Sequence, residues 1–235
     1  MSNADKLSIK NMYDLSHSEA APLLETLTYP WEALPKIKEF ILELGSKIDA
    51  DPELSAQYEK RGEDIWIHKT ANVFDSAYIA GPCIIGAETE VRQCAFIRGS
   101  ALVGKNCVVG NSTELKNVII FDNVQVPHYN YVGDSVLGYK SHMGAGSITS
   151  NVKSDKTLVV VKGRDEYSDI NIETGLKKFG AMLGDHVEVG CNSVLNPGSV
   201  IGRNTNIYPL SPVRGYIPEN SIVKTGCVVV AKKPQ

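Results

Sequence analysis

A period of six runs through most of this chain, and it leaves room for very few folds. From Ile67 the sequence reads IHKTAN, VFDSAY, IAGPCI, IGAETE, VRQCAF, IRGSAL, VGKNCV, VGNSTE and LKNVII. The register returns from Leu183 as LGDHVE, VGCNSV, LNPGSV and IGRNTN. An aliphatic residue opens nearly every unit, a small residue sits four places on, and Gly is frequent in second place. A period of six is neither helical nor the plain alternation of an antiparallel strand. It marks a parallel β-helix, in which each unit supplies one short strand and one corner, and three units close a coil. The opening aliphatic fills the prism, and the small residue lets the chain turn inward without overpacking. The expected fold class is all-β: a parallel β-helix of hexapeptide repeats with a small N-terminal α-helical cap.

The remaining segments set the organisation. Residues 1–62 lack the repeat. Ser16 or Ser18 caps a short expected helix through Leu23, Leu24 and Leu27. A better helix is expected from Glu32 to Lys47, with Pro35 in its first turn and Leu34, Ile37, Ile41, Leu44 and Ile48 on one face. Its task is to close the first coil, as solenoid ends must be closed. Residues 53–64 read as a charged connector. Coils are expected over about 66–150 and 183–230, within a β-helical part spanning 63–235. The register slips between Val126 and Leu137. Residues 151–180 break it outright and read as a projecting loop, long enough to reach a neighbouring subunit. The tail AKKPQ is expected to fray.

Composition narrows the function classes. A net charge of −3 points to no nucleic acid and no acidic membrane surface as partner. No apolar run approaches membrane-spanning length, and the polar opening MSNADKLSIKN is no signal peptide. The five cysteines are odd in number and form no CxxC pair, so neither a disulfide framework nor a zinc knuckle is indicated. Cys83, Cys107 and Cys227 take small-residue positions of the repeat. The expected location is the cytoplasm.

A coil of three hexapeptides stacks residue i on residue i+18, about 4.8 Å away. Arg98 and Lys116 are so spaced, and two stacked cations repel unless an anion lies between or before them. Exposed Arg and Lys on such a face are also commonly just solvated. By the same count Arg92, Gly110 and His128 form a second column, with Gly110 leaving space beneath His128. The segment PHYNYVGDSVLG from Pro127 carries a His, two Tyr, an Asn and an Asp beside the slip in register. Irregularity inside a regular solenoid marks a candidate site, and an imidazole suits general-base work near neutral pH.

Residues from about 96 to 151 carry a more specific likeness. IRGSALVGKNCVVGNSTELKN, HYNYVGD and MGAGSITSN, read without a gap, resemble the C-terminal acetyltransferase domain of the bifunctional N-acetylglucosamine-1-phosphate uridyltransferases. Residues 1–62 do not resemble the nucleotidyltransferase domain of that family, and helices are expected in its place. The resemblance implies a left-handed β-helix, an exception to right-handed crossover, and a homotrimer with active sites between neighbouring prisms. It implies His128 as the catalytic base and Arg98, Lys116 and Tyr131 as sugar-phosphate ligands. Asn151 and Ala145 line the substrate and acetyl-CoA pocket, and Cys191 falls where the family has a serine near the thioester. Arg214, in the late coils, is taken with Ala145 and Cys191 as a cofactor contact. His142 takes a substrate-binding position where the family has Asn. After Asn151 the chain reads Val152-Lys153-Ser154 where the family continues Tyr-Asp-Gly.

The expected function is transfer of an acetyl group from acetyl-CoA to an amino sugar phosphate or related sugar nucleotide, with no metal. Two other readings stand beside it. One is a non-catalytic protein that binds a sugar phosphate or nucleotide sugar. The other is a γ-type carbonic anhydrase, which needs three zinc-binding histidines, two of them in an HxxxxH; His17, His68, His128, His142 and His186 contain no such pair.

Overall fold

In a computed structural model that describes residues 2–224 and 228–231, the chain is the expected left-handed parallel β-helix of hexapeptide repeats. The expectations for Cys227 and for most of the AKKPQ tail lie outside the described residues. Each coil has three faces. The first holds Ile65–His68, Cys83–Ile85 and Ala101–Val103, stacked in parallel register. The second holds Asn72–Val73, Glu90–Val91 and Val108–Asn111, and the third Tyr78–Ile79 and Phe96–Ile97. Opening aliphatics such as Ile85, Val91, Ile97 and Val109 are fully buried in the prism. The small position is often a hydroxyl because it faces a corner carbonyl inside the prism. Thr89 Oγ1 donates to Gly104 O at 2.7 Å and Thr113 Oγ1 to Val126 O at 2.9 Å, so these buried groups are satisfied. The Cys83 and Cys107 thiols fill the same position, and burial pushes each up to about 12.

The first face differs from the other two in one respect. Its outward-pointing residues, among them Trp66, Ile84, Leu102, Ile119, Val136 and Met182, are large and apolar, and all are buried. Residues 3–50 bury them. This segment is therefore not an end cap, as the sequence suggested, but a cover along the face, running back from the late coils to the first. Met12 O accepts from Asp185 N at 3.1 Å, His17 O from Asp122 N at 3.0 Å, and Leu34 O from Asn117 Nδ2 at 3.2 Å. Tyr13 packs on Phe121 with ring centroids 5.1 Å apart.

Local chemistry shapes the cover. The short helix expected from Ser16 or Ser18 to Leu27 is two single turns, Leu15–His17 and Ala21–Leu24. Asp14 caps the first by accepting from Ser16 N, and Ser18 Oγ accepts from Ala20 N. The α-helix starts later than expected, at Ile37, and ends at Ala50. Pro35 has no N–H to give an α-helical ladder, so residues Pro30–Lys36 wind as a 3-10 helix instead. The connector read at 53–64 contains a helical turn, Pro52–Ser55, and a strand, Tyr58–Gly62, antiparallel to Ile65–His68.

The irregular segment 152–180 also packs against its own chain rather than projecting. Val160–Lys162 and Asn171–Glu173 form an antiparallel pair, and Val159, Val161, Ile170 and Phe179 are buried. Phe179 lies 5.7 Å from Trp31 and Tyr167 5.3 Å from Tyr216, centroid to centroid. Asn3 Nδ2 donates to Asp169 Oδ1 at 2.8 Å, joining this hairpin to the start of the cover.

The cover makes a testable demand at Gly45. A Cβ there would strike the six-membered ring of Trp66. That ring cannot swing aside, because it is buried and its Nε1 donates to Asp49 Oδ1 at 2.7 Å. Helix propensity alone favours Gly45→Ala by roughly 0.5–1 kcal/mol, whereas overpacking costs about 1–3 kcal/mol. The variant is expected to melt about 5 °C lower, at about 2–4 °C per kcal/mol for a chain this size, as followed by circular dichroism.

Candidate functional site

Every change in coil length falls at one corner, between the third and first faces. Ile97 and Ala101 flank this corner in one coil, and they pair with Leu115 and Val118 in the next, so a residue is missing there. Leu115 and Val118 pair in turn with Val132 and Ser135. In these two coils the strand runs unbroken round the corner, as Glu114–Ile120 and Tyr131–Leu137. The next coil inserts the whole 152–180 hairpin at the same corner, since Tyr131 pairs with Ile148 but Val136 with Met182. The slip assigned to Val126–Leu137 thus begins earlier, at Lys116-Asn117, and recurs at Gly133-Asp134.

This offset corrects one column and keeps another. His128 pairs with Asn111, not Gly110. Gly110 lies beneath the Pro127 backbone, which leaves no room for a Cβ, so there is no hole under His128. Arg92 instead ion-pairs with Glu90 at 2.8 Å. Arg98 and Lys116 do follow paired residues Ile97 and Leu115. Continued through Val132, Thr149, Leu195 and Val213, that column carries Gly133, Ser150, Asn196 and Arg214.

A second column stands on the opposite edge of the third face. Gly146 N donates to His128 O at 3.0 Å and Asn192 N to Ala145 O at 2.8 Å, which places His128, Ala145 and Cys191 in successive coils. The His128 imidazole is exposed, and Cys191 is an exposed free thiol. Between the two columns, Tyr131 points out from the third face. All the sequence-predicted site residues except His142 therefore border this one face. His142 lies on the second face, where Nδ1 sits 2.8 Å from Glu188 Oε2.

The Arg98–Lys116 edge is charge-balanced by two carboxylates that the sequence reading did not assign. Arg98 Nη1 donates to Glu114 Oε1 at 2.7 Å, and that hydrogen bond raises the guanidinium pKa. Lys116 Nζ donates to both oxygens of Asp134, at 2.9 and 3.0 Å. Asp134 is only 3% exposed and also accepts from Asn117 Nδ2 at 2.9 Å and Asn151 Nδ2 at 2.5 Å. One buried carboxylate therefore fixes three side chains of the edge. Asn151 Nδ2 reaches the Tyr131 hydroxyl as well, at 3.1 Å. Burial, followed by the charges of Asp134 and Glu114, raises the Tyr131 pKa. At neutral pH that hydroxyl keeps its proton and can donate it. The available signal for Asp134 was its place in the HYNYVGD run, whose irregularity marked the segment without saying which residue organised it.

Further along the edge, Arg214 borders a cleft of about 450 Å³ with Lys153 and Lys162 of the hairpin and with Asn196. Arg214 Nη2 lies 3.5 Å from Asn196 Oδ1. Three cations, a serine pair at Ser150 and Ser154, and one carboxylate at Asp155 suit a phosphorylated group. Among the described residues no three His, Cys, Asp or Glu side chains gather to hold a metal ion, and no helix is long and apolar enough to cross a membrane.

With this geometry in place, comparison with known proteins adds the following. Residues 79–165 match the family described as the GMPPB C-terminal domain. The bifunctional protein GlmU of Methanococcus maripaludis (strain C5) is 35% identical over 122 residues, covering 51% of this chain and 28% of that protein. A bifunctional sugar-1-phosphate nucleotidylyltransferase/acetyltransferase of Sulfurisphaera tokodaii is 36% identical over 95 residues, 40% of this chain and 23% of that one. The match thus spans only about a quarter of these relatives' length, 28% and 23%. Among solved structures, a hexapeptide transferase family protein from Anaplasma phagocytophilum aligns with a TM-score of 0.42 at 16% identity, covering 58% of this chain and 68% of that one. The resemblance to the GlmU-type proteins read from HYNYVGD and MGAGSITSN holds in these comparisons.

The Asp134 arrangement yields a prediction about stability. Asp134→Asn keeps the side-chain shape and tolerates the positive φ of 48°, but removes the charge that holds Lys116. The loss is expected to be about 2 kcal/mol in urea unfolding, within the range for a charged hydrogen bond broken on one side. It stays below the figure for a fully buried pair, because the Lys116 side chain is 23% exposed.

Proposed function

We propose that this chain is a CoA-dependent acyltransferase that moves an acetyl group onto a phosphate-bearing sugar lying along the third face. One observation carries the reading. The candidate base column, His128–Ala145–Cys191, and the candidate anion edge, Arg98–Lys116–Tyr131–Asn151, border the same face. The donor fits at the late-coil end, where the Lys153–Lys162–Arg214 cleft suits its phosphates; it supplies an activated acetyl thioester. The first coils receive the acceptor. His128 removes the proton from the attacking amine or hydroxyl as that atom bonds to the acetyl carbonyl carbon, and returns it to the departing sulfur. Arg98 offers the N–H groups not engaged by Glu114, and Tyr131 offers its hydroxyl, to the acceptor phosphate. Asp134 holds Lys116 and Asn151 in place throughout. The relatives whose names include acetyltransferase and sugar-1-phosphate chemistry support this reading. The setting we infer is the cytoplasm, in keeping with the free thiols of Cys83, Cys94, Cys107 and Cys191.

A binding protein without acyl chemistry is the second reading. Its support is that His128 has no side-chain hydrogen bond or ion pair among the described residues to orient it. The test is His128→Ala assayed by thiol release from acetyl-CoA. The variant is expected to keep its melting temperature, as no side-chain hydrogen bond is lost, and to lose at least a hundredfold in turnover. Retention within tenfold, about 1.4 kcal/mol of barrier, removes His128 as the base. No thiol release from the unaltered protein with any sugar phosphate favours the binding reading. Arg98→Ala is expected to raise KM for the acceptor more than it lowers kcat.

We further propose a homotrimer. His142 lies on the second face and cannot reach the Arg98–Lys116 edge of its own chain. A neighbour packed face to face would bring its His142 there. The hairpin gives no argument for this, since it packs at home. Light scattering at micromolar concentration is expected to give three times the chain's 25.6 kDa, and a monomeric mass refutes the arrangement.

A further inference from the structure

The third face does not end at Arg98. Phe96 points outward from the same coil as Arg98 and Tyr78 from the coil before; the two pair in register and lie 5.6 Å apart between ring centroids. Tyr78 is 63% exposed and Phe96 41%. The second face of the same coils presents Asn72 and Glu90 at equivalent positions, so the aromatic pair is local to the face that carries the site. It is also continuous with the anion edge, because the Arg98 guanidinium lies 6.0 Å from the Phe96 ring centroid.

From these positions we propose that the acceptor is a nucleoside-diphosphate sugar rather than a free sugar phosphate, with its base stacked on Tyr78 and Phe96. The proposal rests on the acyltransferase reading above and names its substrate class. Coils rise about 4.8 Å each, so the order along the face is fixed. Tyr78 comes first, then Phe96 and Arg98 at one level, then Lys116, then Tyr131 and His128. A base, a diphosphate and a sugar follow one another in that same order. Aromatic side chains stack any base, because every base has a π-face, and Tyr78 is the freer ring since Arg98 lies against Phe96.

Charge separates the two acceptor classes as well. Arg98 and Lys116 are matched by Glu114 and Asp134, so the edge carries no net positive charge. A terminal sugar phosphate approaches two negative charges near neutral pH, and would meet both carboxylates. Each phosphate of a diphosphate diester carries one charge and asks less of the same edge. The one Arg98–Glu114 bond leaves the remaining guanidinium donors for it.

The experiment titrates the full chain with UDP, dTDP, GDP and CDP, and with a hexosamine 1-phosphate and its nucleoside-diphosphate counterpart. Acyl transfer to both sugars is read in parallel by thiol release. At least one nucleotide sugar is expected to bind tenfold or more tighter than the sugar phosphate, a difference of about 1.4 kcal/mol. Tyr78→Ala is expected to erase that preference while leaving sugar-phosphate binding and the mass by light scattering unchanged. Equal binding of the two acceptors, or equal weakening of both by Tyr78→Ala, overturns the proposal. So does a changed mass, which would make the aromatic pair a subunit contact. A nucleotide preference lost in Tyr78→Ala without any acyl transfer sinks the enzymatic reading and leaves the nucleotide subsite standing.

Discussion

The molecule depends on covering one apolar stripe. A parallel β-helix needs only its interior to be hydrophobic, yet here the first face is apolar on both sides of its strands. Trp66, Ile84, Leu102, Ile119, Val136 and Met182 point outward and are buried only because residues 3–50 lie over them. Each such side chain is worth about 1.5–3 kcal/mol when fully buried, so the stripe contributes on the order of ten kcal/mol even after allowing for a compact unfolded chain. That is comparable to the whole net stability of a typical domain, about 5–15 kcal/mol. The N-terminal segment is therefore part of the folding unit. Its antiparallel course also decides which surfaces remain for function: the second and third faces are all that is left.

Covering the first face also constrains where the coil can vary. A residue removed inside a face would turn outward side chains inward, and would break either the core or the stripe. Removed at the corner entering the first face, it shifts the whole following coil together and leaves every face in register. Three short corners, the last between Val213 and Tyr216, and the long insertion all use that position. The first two short corners leave Lys116 and Asp134 recessed with no protruding loop, and the hairpin raises a wall just beyond Asn151. A smooth prism thereby acquires a recessed edge bounded on one side. The Asp134 carboxylate, saturated by Lys116, Asn117 and Asn151, is the polar counterpart of this geometry, since a recessed charge is tolerated only when fully partnered.

How much of this was legible in the sequence follows from how local each signal was. The period of six is a repeated local rule, so the β-helix and its core residues such as Ile97, Val109 and Leu115 could be read directly. The stripe was present too, as the apolar triplets IWI, CII, ALV and VII at every third strand. The hexapeptide frame hides it by dividing IWI, CII and ALV between two units, so the segment that covers it reads as an end cap. The column count at Arg98 and Lys116 survived because no residue is missing between them. The count at Arg92, Gly110 and His128 failed because the shortened corner at Lys116-Asn117 intervenes. Long-range partners such as Asn3 with Asp169, or Trp31 with Phe179, carry no local pattern at all. That is why the hairpin was expected to project. Asp134 was visible as a residue but not as a hub, because its partners Lys116, Asn117 and Asn151 come from the coils before and after its own.

The axial order of the third face has a chemical consequence of its own. The proposed phosphate anchors lie at Arg98 in the early coils and at Arg214 in the late ones, on the same edge and separated by the coils that carry Tyr131, Asn151 and the His128–Ala145–Cys191 column. Two phosphorylated molecules anchored at the two ends would meet in the middle with their uncharged ends facing each other. Remote anchoring of that kind turns binding energy into alignment of the reacting atoms, without asking the central residues to bind strongly. A central stretch with a single exposed imidazole, a neutral tyrosine and small side chains at Ala145 and Gly146 is what such a division of labour requires. Charged groups placed there would hold the ground state as firmly as the transition state and lower KM without raising kcat.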